Sequence, residues 1–149
     1  MSKKILGFDT SKEKTGVAFY EDGLDPESLE VIKFENSAIW ADRVAELIDI
    51  WKPDVIVFSE TSNRMNGQTV KRILYGLMFL LEHVAFRKGI PVVPVNDPTV
   101  KAYLGIKFGK TEQIKRDTLI WAKNETGLDM TDDQADAVAF CYYLNKIIQ

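Results

Sequence analysis

Hydrophobic and polar positions follow two different periods along the chain, and together they predict an α/β protein. Short apolar runs at 5–9 and 16–20, followed by an alternating segment at 29–34, predict three consecutive strands joined by turns. The continuous apolar run at 55–58 predicts a strand buried on both faces. The two prolines within 90–95 predict a strand at a sheet edge or a strand end.

Other segments have apolar residues at helical spacing. These segments are 38–51, 68–87, 112–124 and 135–147. Asp97 is predicted to be the N-cap of a further helix with Pro98 in its first turn, and Thr131 and Gln134 have the spacing of a capping box. The order β-β-β-α-β-α-β-α-α-α predicts one domain over 1–149, with an antiparallel meander at one side of a mixed sheet and helices covering it.

Composition excludes several classes of protein. The chain has 149 residues, of which 46% are hydrophobic and 28% charged, as in a soluble globular protein. A single cysteine, Cys141, excludes an internal disulfide framework and a thiolate zinc cluster. No apolar stretch reaches the ~18 residues of a membrane span, and Asp9 interrupts the first apolar run too early for a secretory signal. We expect a soluble, cytoplasmic protein with no membrane association.

The charge is unevenly distributed. The net charge is −3 and the pI about 5.2, which by itself argues against a nucleic-acid partner. Residues 63–88 and 99–123, however, each carry a net charge of +4. Binding to a polyanion depends on such local patches, although solvated helix faces would give the same counts.

Acidic residues occupy three positions that ordinary structure explains poorly. Asp9 ends the first predicted strand and Glu60 follows the buried one, so both lie at the same end of the sheet if those strands are neighbours. Asp133 and Asp136 share one face of the last helix. A turn would account for Asp9, a loop for Glu60, and the helix dipole for Asp133. None of these explains Asp136, which lies between two alanines in the second turn.

Four converging carboxylates require a cation, because they would otherwise repel one another. Ligation by oxygen alone selects hard ions, Mg²⁺ with Mn²⁺ as a substitute, over zinc or copper. Two such ions about 3.5–4 Å apart can activate a water and stabilise the leaving oxygen in phosphoryl transfer. The sequence therefore predicts a site with two Mg²⁺ ions.

Four motifs, in order, resemble those of RuvC-type Holliday-junction resolvases. ILGFDTSKEKTGVAF resembles the first hairpin of that family, in which an Asp ends strand one and T-G opens strand two. VIVFSE resembles its second acidic motif, VKAYLGIKFGKTEQIK its basic segment, and DDQADAVAF its C-terminal helix. Any one of these motifs is weak evidence, whereas the ordered set spans almost the whole chain.

The resemblance implies an RNase H-like fold, a homodimer and Mg²⁺-dependent nicking of opposed strands at a four-way DNA junction, with no small-molecule cofactor. It would make this chain an endonuclease of DNA recombination and repair, in a bacterial or phage-infected cell. By position, the catalytic and metal-binding carboxylates are Asp9, Glu60, Asp133 and Asp136. Lys101 and Lys110 fall on the two family lysines, which act on phosphates or on transition-state charge.

The two basic segments supply the expected DNA contacts. These are Arg64, Lys71, Arg72, Lys101, Lys107, Lys110 and Lys115. The family often has a wedging aromatic residue after the second acidic motif, where this chain has TSNRM, so Arg64 is assigned to a phosphate. Helix 68–87 has more apolar residues than one sheet-facing stripe requires, and the excess is a candidate dimer surface or a second buried face.

Three other interpretations compete with a junction resolvase. An actin-like kinase or ATPase is disfavoured, because the segment after Asp9 lacks the glycine of that phosphate loop and the chain is too short for two lobes. A broader branched-DNA, flap or RNase H-type nuclease of the same fold would use the same carboxylates. A non-catalytic junction-binding protein would have no use for a repulsive acidic site beside its DNA.

Overall fold

The structure, a computed structural model, describes residues 2–60 and 67–148. A five-stranded mixed sheet has the order β3-β2-β1-β4-β5. The strands are β1 (Ile5–Thr10), β2 (Lys14–Tyr20), β3 (Glu30–Lys33), β4 (Val55–Ser59) and β5 (Val92–Val95). The helices are α1 (Ser37–Trp51), α2 (Gln68–Arg87), α3 (Asp97–Tyr103), α4 (Thr111–Thr126) and α5 (Asp132–Ile147), and a short 3-10 helix covers Pro26–Ser28.

The sheet has the predicted arrangement of an antiparallel meander beside parallel strands. β1 pairs antiparallel with β2 and parallel with β4, where Phe8 lies opposite Phe58. β5 is an edge strand, as Pro94 within it requires, because proline cannot donate to a second neighbour. Since β1 and β4 are parallel neighbours, their carboxyl ends meet at one end of the sheet.

Two apolar layers cover the two faces of the sheet. Alternate residues of β1 face opposite ways: Leu6 and Phe8 join the core beneath α1 and α2, while Ile5 joins the core beneath α5. Trp40 of α1 is buried and donates its indole N–H to Thr15 Oγ1 at 3.0 Å. Cys141 is buried in the α5 core, and burial raises the pKa of its thiol well above the ordinary value.

The helix ends agree with the sequence at one site and differ at another. The capping box of α5 is confirmed, with Thr131 and Gln134 each bonding the other's backbone N–H. The prediction that Asp97 caps α3 is wrong by one residue. Asn96 is the N-cap, and its side chain accepts from the Thr99 N–H at 3.1 Å. Asp97 lies in the first turn of α3, so its carboxylate is available to contact other side chains.

None of the helices in the described part of the chain is long and apolar enough to cross a membrane.

Candidate active site

Asp9 is a half-buried carboxylate at the end of β1, on the sheet face covered by α5. It lies opposite Gly16 of β2 in the antiparallel register. Burial raises the pKa of Asp9 well above its ordinary value, and the carboxylates of Asp136, Asp133 and Asp97 raise it further. Lys101 acts in the opposite direction. Acidic groups from three elements therefore converge on the end of β1.

The last helix approaches this end of the sheet unusually closely, and glycine makes the approach possible. A Cβ on Gly16 would lie 2.2 Å from the carbonyl oxygen of Asp133, and one on Gly7 would lie 2.8 Å from that of Ala137. Ala135 and Ala139 are also fully buried. Small residues on both surfaces thus bring the first two turns of α5, which carry Asp133 and Asp136, down onto β1 and β2.

Asp133 has a buried oxygen that forms an ion pair with Lys14 but accepts no hydrogen bond from the described residues. The residue is only 7% exposed, and its Oδ2 atom has no hydrogen-bond partner in residues 2–60 and 67–148. The ammonium of Lys14 lies 3.3 Å from this oxygen, and the Asp133 carboxylate raises the pKa of Lys14. A buried carboxylate oxygen whose one neighbouring cation is a half-exposed lysine is suited to a further cation.

Lys101 is a buried cation, 5% exposed, that links two acidic residues. Its Nζ lies 2.7 Å from Asp97 Oδ1 and 2.8 Å from Asp136 Oδ1. Burial lowers the pKa of Lys101, but the carboxylates of Asp136 and Asp97 outweigh this, and the pKa is raised overall. The ammonium therefore stays charged and balances part of the acidic cluster.

Two opposing effects act on the pKa of Asp136. Burial raises its pKa, and the paired Lys101 lowers it; the pKa remains above its ordinary value. The Asp9 side chain also hydrogen bonds to Asp136. Two carboxyl groups that share a hydrogen bond in a buried site have little tolerance for two full negative charges.

Asp97 belongs to this cluster and was missed as a functional residue by sequence reasoning, which assigned it to capping. A signal was present in the sequence. Asp97 and Lys101 are four residues apart in a helix, the spacing at which oppositely charged side chains meet.

Glu60 follows β4 directly at the same end of the sheet as Asp9. Its N–H donates to the Val95 carbonyl oxygen at 2.8 Å, and the residue is exposed. The carboxylates that most raise the pKa of Asp9 are those of Asp136, Asp133 and Asp97 rather than Glu60. The structure thus brings three of the four predicted carboxylates together and leaves Glu60 at the rim.

The donor set suits a hard divalent cation, although the side chains are not closed around one. In residues 2–60 and 67–148, no three His, Cys, Asp or Glu side chains are grouped tightly enough to hold a metal ion as they stand. The cluster nevertheless offers several carboxylate oxygens, including the buried Oδ2 of Asp133, and its nearest cations are the ammonium groups of Lys101 and Lys14. Burial is the largest cause of the raised pKa of Asp9 and of Asp136, and neighbouring carboxylates add to it. The residues therefore fit a hard divalent cation by chemistry and charge.

Most of the predicted DNA-binding residues in the described ranges are exposed. Lys107 and Lys110 lie in the loop before α4, and Lys115 lies in its first turns, 3.6 Å from Asp132. In α2, Arg72 is exposed and Lys71 half-buried. Lys101 alone is buried in the acidic cluster. The predicted contact at Arg64 lies outside the described residues.

A cleft of about 340 Å³ joins the acidic cluster to the lysine loop. Its lining includes Asp97, Lys101 and Asp136 of the acidic cluster, together with Lys107, Phe108 and Lys115. A negative centre with a basic rim is the charge pattern expected of a site that holds both cations and a phosphate chain.

No family model matches the sequence, and no curated protein matches it significantly. Solved structures, by contrast, are similar over nearly the whole chain. RuvC from T. thermophilus in complex with a Holliday junction substrate is 17% identical, with a TM-score of 0.78 over 97% of this chain and 96% of that one. The Fowlpox virus resolvase, solved with Holliday junction DNA, is 13% identical, with a TM-score of 0.69 over 97% and 98%.

A more distant likeness is the large terminase nuclease of the thermophilic phage G20c. It is 11% identical, with a TM-score of 0.55 over 95% of this chain and 81% of that one. At sequence identities this low, the structural similarity establishes the fold alone. The RNase H-like mixed sheet, and the resemblance to RuvC-type resolvases at the level of the fold, are thereby confirmed.

Proposed function

We propose that this protein is a metal-dependent endonuclease that resolves four-way DNA junctions by nicking opposed strands. The observation that carries the proposal is the convergence of Asp9, Asp133 and Asp136 at one end of a fold similar to that of a junction-bound resolvase. These are positions at which the sequence motifs predict catalytic carboxylates. Fold alone would not indicate an activity, so the acidic cluster is the essential part of the argument.

Four carboxylates would hold the metal, those of Asp9, Asp133, Asp136 and Glu60. The carboxylates of Asp136 and Asp133 already lie close enough to raise the pKa of Asp9. Glu60 at the rim would complete the set, consistent with its position at the carboxyl end of the strand beside β1. When bound, two divalent ions supply the positive charge that favours attack of water on a phosphodiester, and Mg²⁺ is the ion we propose.

The chain's own cations have two separate roles in this proposal. Lys101, buried between Asp97 and Asp136, orients the acidic cluster and offsets its charge. Lys107 is exposed and lines the cleft, and Lys110 is exposed in the same loop; both can bind phosphates and stabilise charge that develops during cleavage. Further phosphate contacts come from three basic side chains, Lys71, Arg72 and Lys115.

Paired nicking of opposed strands requires two active sites, and we propose a homodimer formed through α2. One face of α2 packs on the sheet through Leu77 and Leu81. Another face carries Phe79 and Phe86, which are 60% and 79% exposed, beside Gly76, which has open space around it. Two exposed phenylalanines on a helix that is already packed on its other side fit a second copy of the same chain, with the exposed Glu82 and His83 lying between them.

A broader nuclease of branched or flap DNA, or an RNase H-type enzyme, is the second candidate. The likeness to a phage terminase nuclease favours keeping it, because that protein shares the fold. The acidic cluster would serve either reaction equally. For both candidates we propose the cytoplasm of a bacterial or phage-infected cell as the place of action.

The discriminating experiment is a nicking assay with Mg²⁺ on a synthetic immobile four-way junction. A matched duplex, a three-way junction and an RNA–DNA hybrid are run in parallel, each with the wild-type protein, Asp9→Asn and the exposed control Asp42→Asn. We expect nicks at symmetric positions on the four-way junction, lost only in Asp9→Asn. Equal cutting of the three-way junction would favour the broader nuclease, and cutting confined to the RNA strand would favour an RNase H-type enzyme.

A further inference from the structure

The loop before α4 exposes an aromatic side chain beside the acidic cluster. Phe108 is 80% exposed, the largest value among the large hydrophobic residues that the structure describes. It lies between Lys107 and Gly109, and a Cβ on Gly109 would meet nothing within 4 Å. A solvated phenyl ring gains no burial energy in this structure, so its apolar face is available to a partner.

The loop is anchored at both ends, which fixes where Phe108 stands. At the near end, Ile106 is buried, and its N–H donates to the Lys101 carbonyl oxygen at 2.9 Å. Gly105, with φ +82°, supplies the left-handed turn out of α3. At the far end, the Lys110 carbonyl oxygen accepts from the Ile114 N–H at 3.0 Å as α4 begins. Phe108 is therefore near the tip of a short, tethered loop.

This position faces the site rather than a remote surface. Phe108 lines the same cleft as Lys101 and Asp136. Exposed ammonium groups flank it at Lys107 and Lys110. An aromatic ring between lysines, beside a predicted phosphodiester-cleaving centre, is the pattern of a surface that binds a phosphate backbone and stacks on a base.

The other strongly exposed phenylalanines do not share this setting. Phe79 and Phe86 lie on α2, which packs on the sheet face opposite α5. Phe79 also stacks against Tyr75 on its own helix, with ring centroids 6.5 Å apart. Phe108 alone, of these three, combines a neighbouring acidic cluster with flanking lysines.

We propose that Phe108 stacks on a nucleobase exposed at the branch point and so fixes which phosphodiester reaches the acidic cluster. The inference rests on the proposed function. Every base has a π-face on which a phenyl ring can stack, and Lys107 and Lys110 would hold the phosphates on either side. In a continuous duplex the bases are stacked on one another, so the ring gains a partner only where stacking is interrupted. Phe108 would therefore favour branched DNA over linear duplex.

The test compares DNA binding by variants in the Asp9→Asn background, in which the junction is bound without being cut. Phe108→Ala should weaken binding to the four-way junction by about 5- to 100-fold. Binding to the matched duplex should stay within about twofold. The slope of log K against log salt should not change, because a phenyl ring releases no counterions. Phe108→Trp should restore affinity, and its fluorescence should be quenched by the junction.

Two matched controls separate stacking from other effects. Lys107→Ala should weaken junction and duplex alike and reduce the salt slope by about one. Ile50→Ala removes an apolar side chain of comparable exposure on α1 and should change neither affinity.

The proposal is overturned if Phe108→Ala binds the junction as tightly as its parent, or loses junction and duplex affinity equally. Failure of the proposed function would look different, since the wild-type protein would leave four-way junctions intact whatever residue stands at 108. Selective loss of junction binding in Phe108→Ala would support the role of Phe108 even then.

Discussion

Lys101 Nζ lies 2.8 Å from Asp136 Oδ1. The same ammonium lies 2.7 Å from Asp97, and the residue is only 5% exposed. A cation supplied by the chain thus occupies a cluster in which burial and mutual repulsion raise the pKa of Asp9 and Asp136. The arrangement makes the stability of the protein without metal dependent on its own lysine.

Lys101→Met should destabilise the protein in the presence of a chelator. Removing the ammonium leaves Asp97 and Asp136 without their partner, and breaking a buried ion pair on one side costs about 3 kcal/mol. Urea unfolding in EDTA measures the loss, with the exposed Lys3→Met as control. Added Mg²⁺ should raise the unfolding midpoint more in Lys101→Met than in the wild type. Equal stability of Lys101→Met and wild type in EDTA would contradict a structural role for the ammonium.

Asp9→Asn should stabilise the metal-free protein, by an amount that grows with pH. The pKa of Asp9 is raised in the folded state, so the wild type binds more protons folded than unfolded and loses stability as pH rises toward the raised pKa. Asparagine carries no such penalty. At pH values above the raised pKa, each unit by which the pKa is raised makes Asp9→Asn about 1.4 kcal/mol more stable than the wild type. This advantage disappears near pH 3.

Thermal unfolding in EDTA from pH 4 to pH 8 measures this advantage as the difference between Asp9→Asn and the wild type. Asp42→Asn, an exposed carboxylate on α1, serves as the matched control. A difference that shrinks as pH rises would be the wrong sign for a destabilised carboxylate.

Gly16→Ala should disrupt the contact between β2 and α5. The new Cβ would lie 2.2 Å from the Asp133 carbonyl oxygen, so one of the two backbones must move. We expect a loss of about 3 kcal/mol of unfolding free energy, together with loss of nicking as Asp133 is displaced. Gly67→Ala is the control: its Cβ would meet nothing within 4 Å, and at the N-cap of α2 it should change the unfolding free energy by less than about 1 kcal/mol. Similar effects of the two substitutions would refute the close approach.

Asp136→Asn should abolish nicking while leaving junction affinity unchanged or tighter. The substitution removes a proposed metal ligand, which costs at least about 1000-fold in rate. It also removes a negative charge near the DNA. Single-turnover nicking and gel-shift binding are the measurements, and Asp132→Asn is the control because Asp132 pairs with the exposed Lys115. Loss of binding together with activity would assign Asp136 to folding or DNA contact instead.

Much of the fold was predictable because the period of apolar residues changes clearly between strands and helices. The helix over 68–87 has the predicted bounds, and the capping box at Thr131 fixes the start of α5. From the pattern of apolar residues, β1 and β4 could only be assumed to be neighbours, since periodicity does not specify strand order. The resemblance to a known family supplied that order.

The site was less predictable because side-chain partners depend on packing distance. The sequence predicted that Asp9, Glu60, Asp133 and Asp136 converge, and the structure leaves Glu60 at the rim. Nothing in the sequence indicated that Lys101 is buried between two carboxylates. Sequence reasoning assigned the N-cap of α3 to Asp97, whereas Asn96, one residue earlier, is an equally good capping residue and takes that position. The role of Gly16 became apparent only when the backbone of α5 was seen against it.

The most direct test of the account is the product formed from a supercoiled plasmid that extrudes a cruciform. Two coordinated nicks across the four-way junction convert the plasmid to a linear molecule, whereas a single nick gives an open circle. With Mg²⁺, we predict linear product from the wild type and no cleavage by Asp9→Asn. Open circles alone, or linear product that persists in Asp9→Asn, would contradict a paired cut made by this acidic cluster.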